Sequence, residues 1–273
     1  MFDAGLQFRV SYFIFEHVDC SAFKEDIQKV YTLMRILEFV TREIFSLNSK
    51  VYISYLRKKG VIIGDGTHGV GLKGIDLTRP CLVEIGKNCI ISRNAMILTH
   101  DVFSILREKY GEVLCSSGKV VIADNCFIGA NAIVLKGVQI GRNTIIAPGS
   151  VVTHDISANS VAAGNPCRVI KSIDEYYEQR KRRYVQEAKV YAFELYRKTG
   201  RVPKKEDFWE EFPLFLSRKP ASWGKLPVRR QYGPALHAFL KSKPLYKSFE
   251  EFLIDAGIPK DEIERVRYRF GRG

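Results

Sequence analysis

Between Ile85 and Ile156 the apolar positions recur every sixth residue, a period that suits neither an α-helix nor a long strand. Aliphatic side chains stand at Ile85, Ile91 and Ile97, and again at Ile122, Ile128, Val134, Ile140, Ile146 and Val152. Three places after each comes a residue suited to a sharp corner: Asn88, Asn94, His100, Asn125, Asn131, Gly137, Asn143, Gly149 and Asp155. Asn, Gly and Asp enter the left-handed backbone region at low cost, so backbone geometry accounts for every corner but His100. The next position is usually small: Cys89, Ala95, Cys126, Ala132, Thr144, Ser150. Side chains alternate along a strand, so this small residue and the next aliphatic one point inward together. Short strands joined by corners, three to a turn, predict a parallel β-helix of hexapeptide repeats.

The flanks follow other periods. Phe23, Ile27, Val30, Tyr31, Met34 and Leu37 form a helical stripe within residues 20 to 58, with Ser21 as a cap. This segment is expected to cover the open first coil, whose strand edge would otherwise be unpaired. Residues 61 to 84 read as a less regular first coil, with Ile63-Gly64 as its clearest repeat start. The body breaks once, between Ile97 and Ile122: residues from Asp101 to Gly118 carry no repeat and predict a loop pushed out from a corner, with His100 at its root. After Lys171, Tyr177, Tyr184, Ala188, Tyr191 and Leu195 predict a helix from about 173 to 198, stopped by Gly200. A capping box at Ser248–Glu251 opens a further helix that Gly257 ends, and Pro259 opens a last one. The predicted organisation is a helical segment over 1–60, the β-helix over 61–171 with a loop at about 101–118, and a basic, aromatic-rich helical appendage over 172–273.

Ile85-Gly86-Lys87-Asn88, Ile128-Gly129-Ala130-Asn131 and Ile140-Gly141-Arg142-Asn143 resemble the left-handed β-helix, hexapeptide-repeat acyltransferase superfamily. The run from Asp155 to Lys171, with Gly164-Asn165-Pro166 at its centre, is similar to the closing segment of the sugar O-acetyltransferase branch, and Arg57 to Gly64 to the entry of polysaccharide-modifying members. The resemblance covers residues 55 to 172 and supplies the left hand, since ordinary parallel crossovers are right-handed. It implies an acetyl-CoA dependent transfer of an acetyl group to a sugar hydroxyl in surface polysaccharide or lipopolysaccharide assembly, by a homotrimer with sites between subunits. N-acetylation of an amino sugar and a non-catalytic scaffold are the competing readings.

Acyl transfer to a hydroxyl needs a group to take its proton, and neutral imidazole suits that task near pH 7. The resemblance places the base at His100; the competing reading is a corner histidine in left-handed geometry. Asp101 is a candidate to orient it, although neighbouring side chains on extended backbone point apart. No Ser or Cys forms an evident nucleophile motif beside His100, so transfer is expected to be direct. By motif position, coenzyme A contacts fall to Ala130, Ala147, Pro148, Thr153 and His154, with Arg168 and Lys171 near the phosphates, and an oxyanion donor near Gly129 or Ala130. Pro148 has no N–H to donate. Only His100 and His154 lie in the regular body, too few for a three-imidazole zinc site, and no metal is expected. Gly64-Asp65-Gly66-Thr67-His68-Gly69 matches the dinucleotide fingerprint in letters alone, because no amphipathic helix follows it.

Composition adds three points. The formal charge is +13, and residues 171 to 273 hold 24 Lys/Arg against 15 Asp/Glu. That excess suits anionic acceptors, coenzyme A phosphates, a peripheral contact with an anionic membrane, or simply a solvated helical surface; no nucleic-acid partner is assigned. The six cysteines include no Cys-x-x-Cys pair and read as reduced thiols. No run reaches the roughly eighteen apolar residues of a membrane span, and the apolar patch from Val10 to Phe15 lacks the flanks of a signal peptide, so a cytoplasmic location is expected.

Overall fold

A computed structural model of the chain describes residues 49–101 and 106–270. The predicted helical stripe from Phe23 to Leu37 and its cap Ser21 lie outside the described residues. The chain divides into two compact units, one ending at Ile173 and the other starting at Asp174.

The first unit is a parallel β-helix. Its strands run β1 Ile62–Ile63, β2 Val83–Ile85, β3 Ile90–Ile91, β4 Met96–Ile97, β5 His100–Asp101, β6 Ser116–Ser117, β7 Val120–Ile122, β8 Phe127–Ile128, β9 Ile133–Val134, β10 Gln139–Ile140, β11 Ile145–Ile146, β12 Val151–Val152, β13 Ser160–Ala163 and β14 Arg168–Ser172. Three faces result: β1-β2-β7-β10, then β3-β8-β11-β13 closed by antiparallel β14, then β4-β9-β12. Ile91 stacks on Ile128 and Ile128 on Ile146, so each aliphatic column is one repeat position seen in successive coils. Ile85, Ile91, Ile97, Ile122, Ile128 and Ile146 are buried, as are the small residues Cys89, Ala95, Cys126 and Ala132 beside them. One large and one small side chain per strand fill the narrow interior, as the repeat predicts. The described cysteines are unpaired, and the buried Cys89 and Cys126 direct their thiols at the Ala123 and Gly141 carbonyls, 3.1 Å away in each case.

The corners explain the choice of residue. Asn88, Asn94, Asn125, Asn131 and Asn143 have φ between 55° and 60°, and Gly137 and Gly149 have φ of 82° and 70°. The asparagines also bond along the stack, Asn125 Nδ2 to Asn143 Oδ1 at 2.9 Å and Asn143 Nδ2 to Asn159 Oδ1 at 2.8 Å. His100 and Asp155 depart from this pattern, being absent from the left-handed region. Asp155 accepts the Gln139 N–H at 2.8 Å, and the left-handed residue of that last, shortened coil is Asn159, with φ of 57°. The Gly of each Ile-Gly pair answers a different demand. A Cβ on Gly129 would lie 2.5 Å from Pro148 N and 2.6 Å from Ala147 C, so the next coil passes too close for any side chain.

Coil length varies with what the coil carries. Stacked residues are 18 apart in the regular body, 22 apart between the first two coils, and 37 apart across the loop. The excess is the extruded segment, whose base is the antiparallel pair His100↔Ser117 and Asp101↔Ser116, and which contains a short helix, Leu106–Tyr110. The open first coil is covered by the helix Ser49–Lys59: Tyr52, Ile53 and Leu56 join the β-helix core, and Arg57 donates to the Ile63 carbonyl at 2.6 and 2.9 Å. The fingerprint glycines belong to this first coil, where Gly69 crosses over Ile91 and His68 bridges to Ile90.

The second unit begins along the helix Ile173–Thr199, ended by Gly200 with φ of 61°. Its core is aromatic: Phe208 contacts Tyr191, Phe215, Phe249 and Phe252 with ring centroids 5.4 to 5.8 Å apart. Ser248 caps the helix Phe249–Asp255 by accepting the Glu251 N–H at 3.0 Å, while Glu251 reaches back to the Lys247 N–H at 2.6 Å. Gly257, with φ of 88°, separates it from the helix Lys260–Phe270.

Candidate functional site

The face β4-β9-β12 stacks Ile97, Val134 and Val152, with Ile75 bridging to Ile97 from the first coil. The corner that follows it therefore carries at least one ionisable residue on each coil: Asp76, His100, Lys136, and His154 with Asp155. Coils are about 4.8 Å apart, so this corner is a column of polar chemistry spaced in units of about 5 Å.

His100 leaves the coil in extended form to start the loop, so its place owes nothing to a tolerance for left-handed geometry. Its Nδ1 lies 2.6 Å from Asp76 Oδ2. Asp76 is gripped from several sides: Thr99 Oγ1 donates at 2.6 Å, the Thr99 N–H at 3.1 Å and the Thr78 N–H at 2.9 Å. Its side chain is 7% exposed, against 27% for His100. Burial alone would raise the Asp76 carboxyl pKa; the bonds from the Thr99 hydroxyl, Thr78, His100 and the Thr99 backbone outweigh it and hold the group well below the usual carboxylate range. An ionised carboxylate only accepts, so His100 Nδ1 carries a proton, and in the neutral ring Nε2 is then the nitrogen with the lone pair. Among the described residues Nε2 has no partner.

Asp101, the sequence candidate for orienting His100, points elsewhere. Its carboxylate pairs with Lys136 on the next coil, pinning the base of the loop to the corner. The orienting carboxylate is Asp76, 24 residues upstream, and sequence reasoning missed it because the first coil lacks the six-residue period. The signal was the aliphatic Ile75 directly before an aspartate.

Gly129, Ala130, Ala147 and Pro148 come together by stacking: Gly129 donates to Ile146 O at 2.9 Å, Ala147 to Ala162 O at 2.9 Å, and Gly149 to Ala130 O at 2.8 Å. The Gly129 N–H is thus spent within the β-helix and is no oxyanion donor. The Ala130 N–H has no partner among the described residues. Thr153, His154 and Arg168 form a third group: Thr153 Oγ1 lies 2.9 Å from His154 Nδ1, and Arg168 Nη1 lies 2.9 and 2.8 Å from the two ring nitrogens. A guanidinium only donates and a neutral imidazole accepts at one nitrogen alone, so one of these two approaches is a hydrogen bond and the other a close contact. Arg168 is exposed and Lys171 half-buried on β14, which gives this end of the β-helix its cations. The residues fit an anionic, extended ligand in outline, with the exposed Arg168 and the half-buried Lys171 at the end of the β-helix and a free amide at Ala130.

The loop adds a cavity of about 360 Å³ lined by Leu106, Tyr110, Glu112 and Leu114.

Comparison with known proteins bears on this arrangement. The family model described as bacterial transferase hexapeptide (six repeats) matches residues 119–154. The 2,3,4,5-tetrahydropyridine-2,6-dicarboxylate N-acetyltransferase of Staphylococcus aureus (strain Newman) is 46% identical over 66 residues, which is 24% of this chain and only 28% of that enzyme's length. The galactoside O-acetyltransferase of Escherichia coli (strain K12) is 34% identical over 152 residues, covering 55% of this chain and 71% of that enzyme. Among solved structures, a maltose O-acetyltransferase from Clostridium difficile 630 aligns at 29% identity over 46% of this chain and 76% of that chain, with a TM-score of 0.34. With a relative matched over most of its length and the repeat recovered by the family model, the chain belongs to the left-handed β-helix, hexapeptide-repeat acyltransferase superfamily, in its sugar O-acetyltransferase branch.

Proposed function

We propose that the chain is an acetyl-CoA dependent O-acetyltransferase that moves an acetyl group directly onto a sugar hydroxyl in surface polysaccharide or lipopolysaccharide assembly, with His100 as general base. The observation that carries this reading is the 2.6 Å contact between His100 Nδ1 and Asp76 Oδ2 at the root of the extruded loop. Acetyl-CoA supplies the activated acetyl group as a thioester. The chain manages the proton: as the acceptor oxygen bonds to the acyl carbon, its proton passes to Nε2, and the imidazolium that forms is stabilised by Asp76. The same proton leaves from Nε2 to the departing thiolate. Asp76 touches no reacting atom and is a positioning residue.

The Ala130 N–H is assigned to the acyl oxygen, and Arg168, Lys171 and His154 to the phosphates. Gly129 contributes by lacking a side chain, and Ala147, Pro148 and Thr153 line the same surface. The loop cavity is assigned to the acceptor. The active form is read as a homotrimer in the cytoplasm, with sites between subunits. A second reading, transfer to an amine, draws on the staphylococcal relative, which is named an N-acetyltransferase.

Coenzyme A release from acetyl-CoA, measured against panels of hydroxyl and amino sugars, separates the two readings. His100→Ala is expected to lower turnover by roughly 10²- to 10⁴-fold. Wild-type turnover in a correctly assembled variant overturns the assignment, and a monomer in sedimentation overturns the shared site.

A further inference from the structure

The second unit contains a long segment without an acid. From Phe212 to Phe249 there is no Asp or Glu, while Arg218, Lys219, Lys225, Arg229, Arg230, Lys241, Lys243 and Lys247 all fall inside it. A merely solvated surface usually mixes signs, and elsewhere this unit does so: Arg180 pairs with Glu187, Lys189 with Asp255, Arg197 with Glu194 and Arg201 with Asp207.

The fold gathers these cations. Arg218 is the keystone: its guanidinium lies 4.1 Å from the Phe239 ring centroid, donates to the Leu216 and Pro213 carbonyls, and donates to Ser242 Oγ at 3.0 Å. That last bond draws Lys219, next to Arg218, towards Lys241 and Lys243, which flank Ser242. Trp223 sits 6.1 Å from Phe239, and Arg229 lies over Trp223 at 5.8 Å, which brings in the Lys225 and Arg229–Arg230 side. Lys219, Lys225, Arg229, Arg230, Lys241 and Lys243 are exposed, and none has an acidic partner among the described residues. Interleaved with them are two large exposed apolar side chains, Leu240 at 41% and Leu245 at 63%.

We infer that this surface docks on an anionic lipid bilayer. Phosphate headgroups complement the cations, and Leu240 and Leu245 enter the boundary between headgroups and acyl chains, which gives exposed leucines among lysines a use. A soluble polyanion would draw on the cations alone. No described helix is long and apolar enough to cross a membrane, so the contact is peripheral.

The test is flotation of the full chain with vesicles of phosphatidylcholine alone and of phosphatidylcholine mixed with phosphatidylglycerol. Binding to the mixed vesicles only, weakening as salt is raised, is expected. K241Q/K243Q should weaken binding by about fivefold per cation lost. L240S/L245S should weaken vesicle binding while leaving the retention on heparin or duplex DNA unchanged. Both variants change exposed side chains, and an unaltered melting temperature and acetyl-CoA turnover keep a folding defect apart from a docking defect. Equal binding to neutral vesicles, no binding to either kind, or a leucine variant that floats like wild type overturns the inference. So does tighter binding to DNA than to anionic vesicles.

Discussion

Asp76→Asn isolates the pairing on which the mechanism rests. Asp76 Oδ2 receives three donors, Thr99 Oγ1, the Thr99 N–H and His100 Nδ1, and Oδ1 receives the Thr78 N–H. An amide of the same shape has two placements. With its NH₂ at Oδ2 it meets the Thr99 N–H and donates to Nδ1, moving the imidazole proton to Nε2, where it blocks the base. With its oxygen there, the NH₂ meets the Thr78 N–H, and the tautomer survives. Both placements remove the charge that stabilises the imidazolium. Loss of base function is worth roughly 10²- to 10⁴-fold in kcat, about 3 to 5.5 kcal/mol of barrier, with the wrong tautomer at the high end. The buried donor left unmatched costs about 1 to 3 kcal/mol of stability. Coenzyme A release at saturating acetyl-CoA, on a sugar that turns over, measures the first; thermal unfolding measures the second. KM for acetyl-CoA should stay within about a factor of two, since Asp76 makes no contact assigned to it. The folded Asp76 carboxyl lies below its ordinary value. Its ionisation therefore stabilises the fold above the unfolded carboxylate range near about 3.9, and that contribution is lost as pH falls towards the lower folded value. Wild type and Asp76→Asn should accordingly converge in stability as the solution is acidified. A variant with wild-type kcat, or a stability difference that widens on acidification, refutes the reasoning.

Three further outcomes follow from the same geometry. Gly129→Ala forces a Cβ against the Pro148 backbone at 2.5 Å, and unfolding experiments should show a loss of about 1 to 3 kcal/mol, the usual cost of overpacking. Asn143→Ala gives up two side-chain bonds in the corner ladder and leaves a residue with φ of 55°; a loss of about 2 to 4 kcal/mol in denaturant titration is expected. Lys136→Ala frees Asp101 and the loop base; KM for the acceptor should rise while global stability changes by less than about 1 kcal/mol, as for exposed ion pairs.

The β-helix was legible because its determinants are local. A six-residue stripe, a small residue beside it and an asparagine that accepts a left-handed backbone are each satisfied within one strand and corner, so Ile122 to Val152 announces its coils without reference to any partner. The helix from Ile173, its stop at Gly200 and the cap at Ser248 were legible for the same reason. Stacking decided the rest. The carboxylate on His100 comes from Asp76 in an irregular coil of different length, Asp101 is captured by Lys136 one coil on, and the Gly129 amide is consumed by Ile146. These pairings depend on which coil lies over which and on how many residues each takes to close. Periodicity specifies the shape of a coil, while the neighbours of a given side chain are set only when coils of 22, 37 and 18 residues are laid on one another.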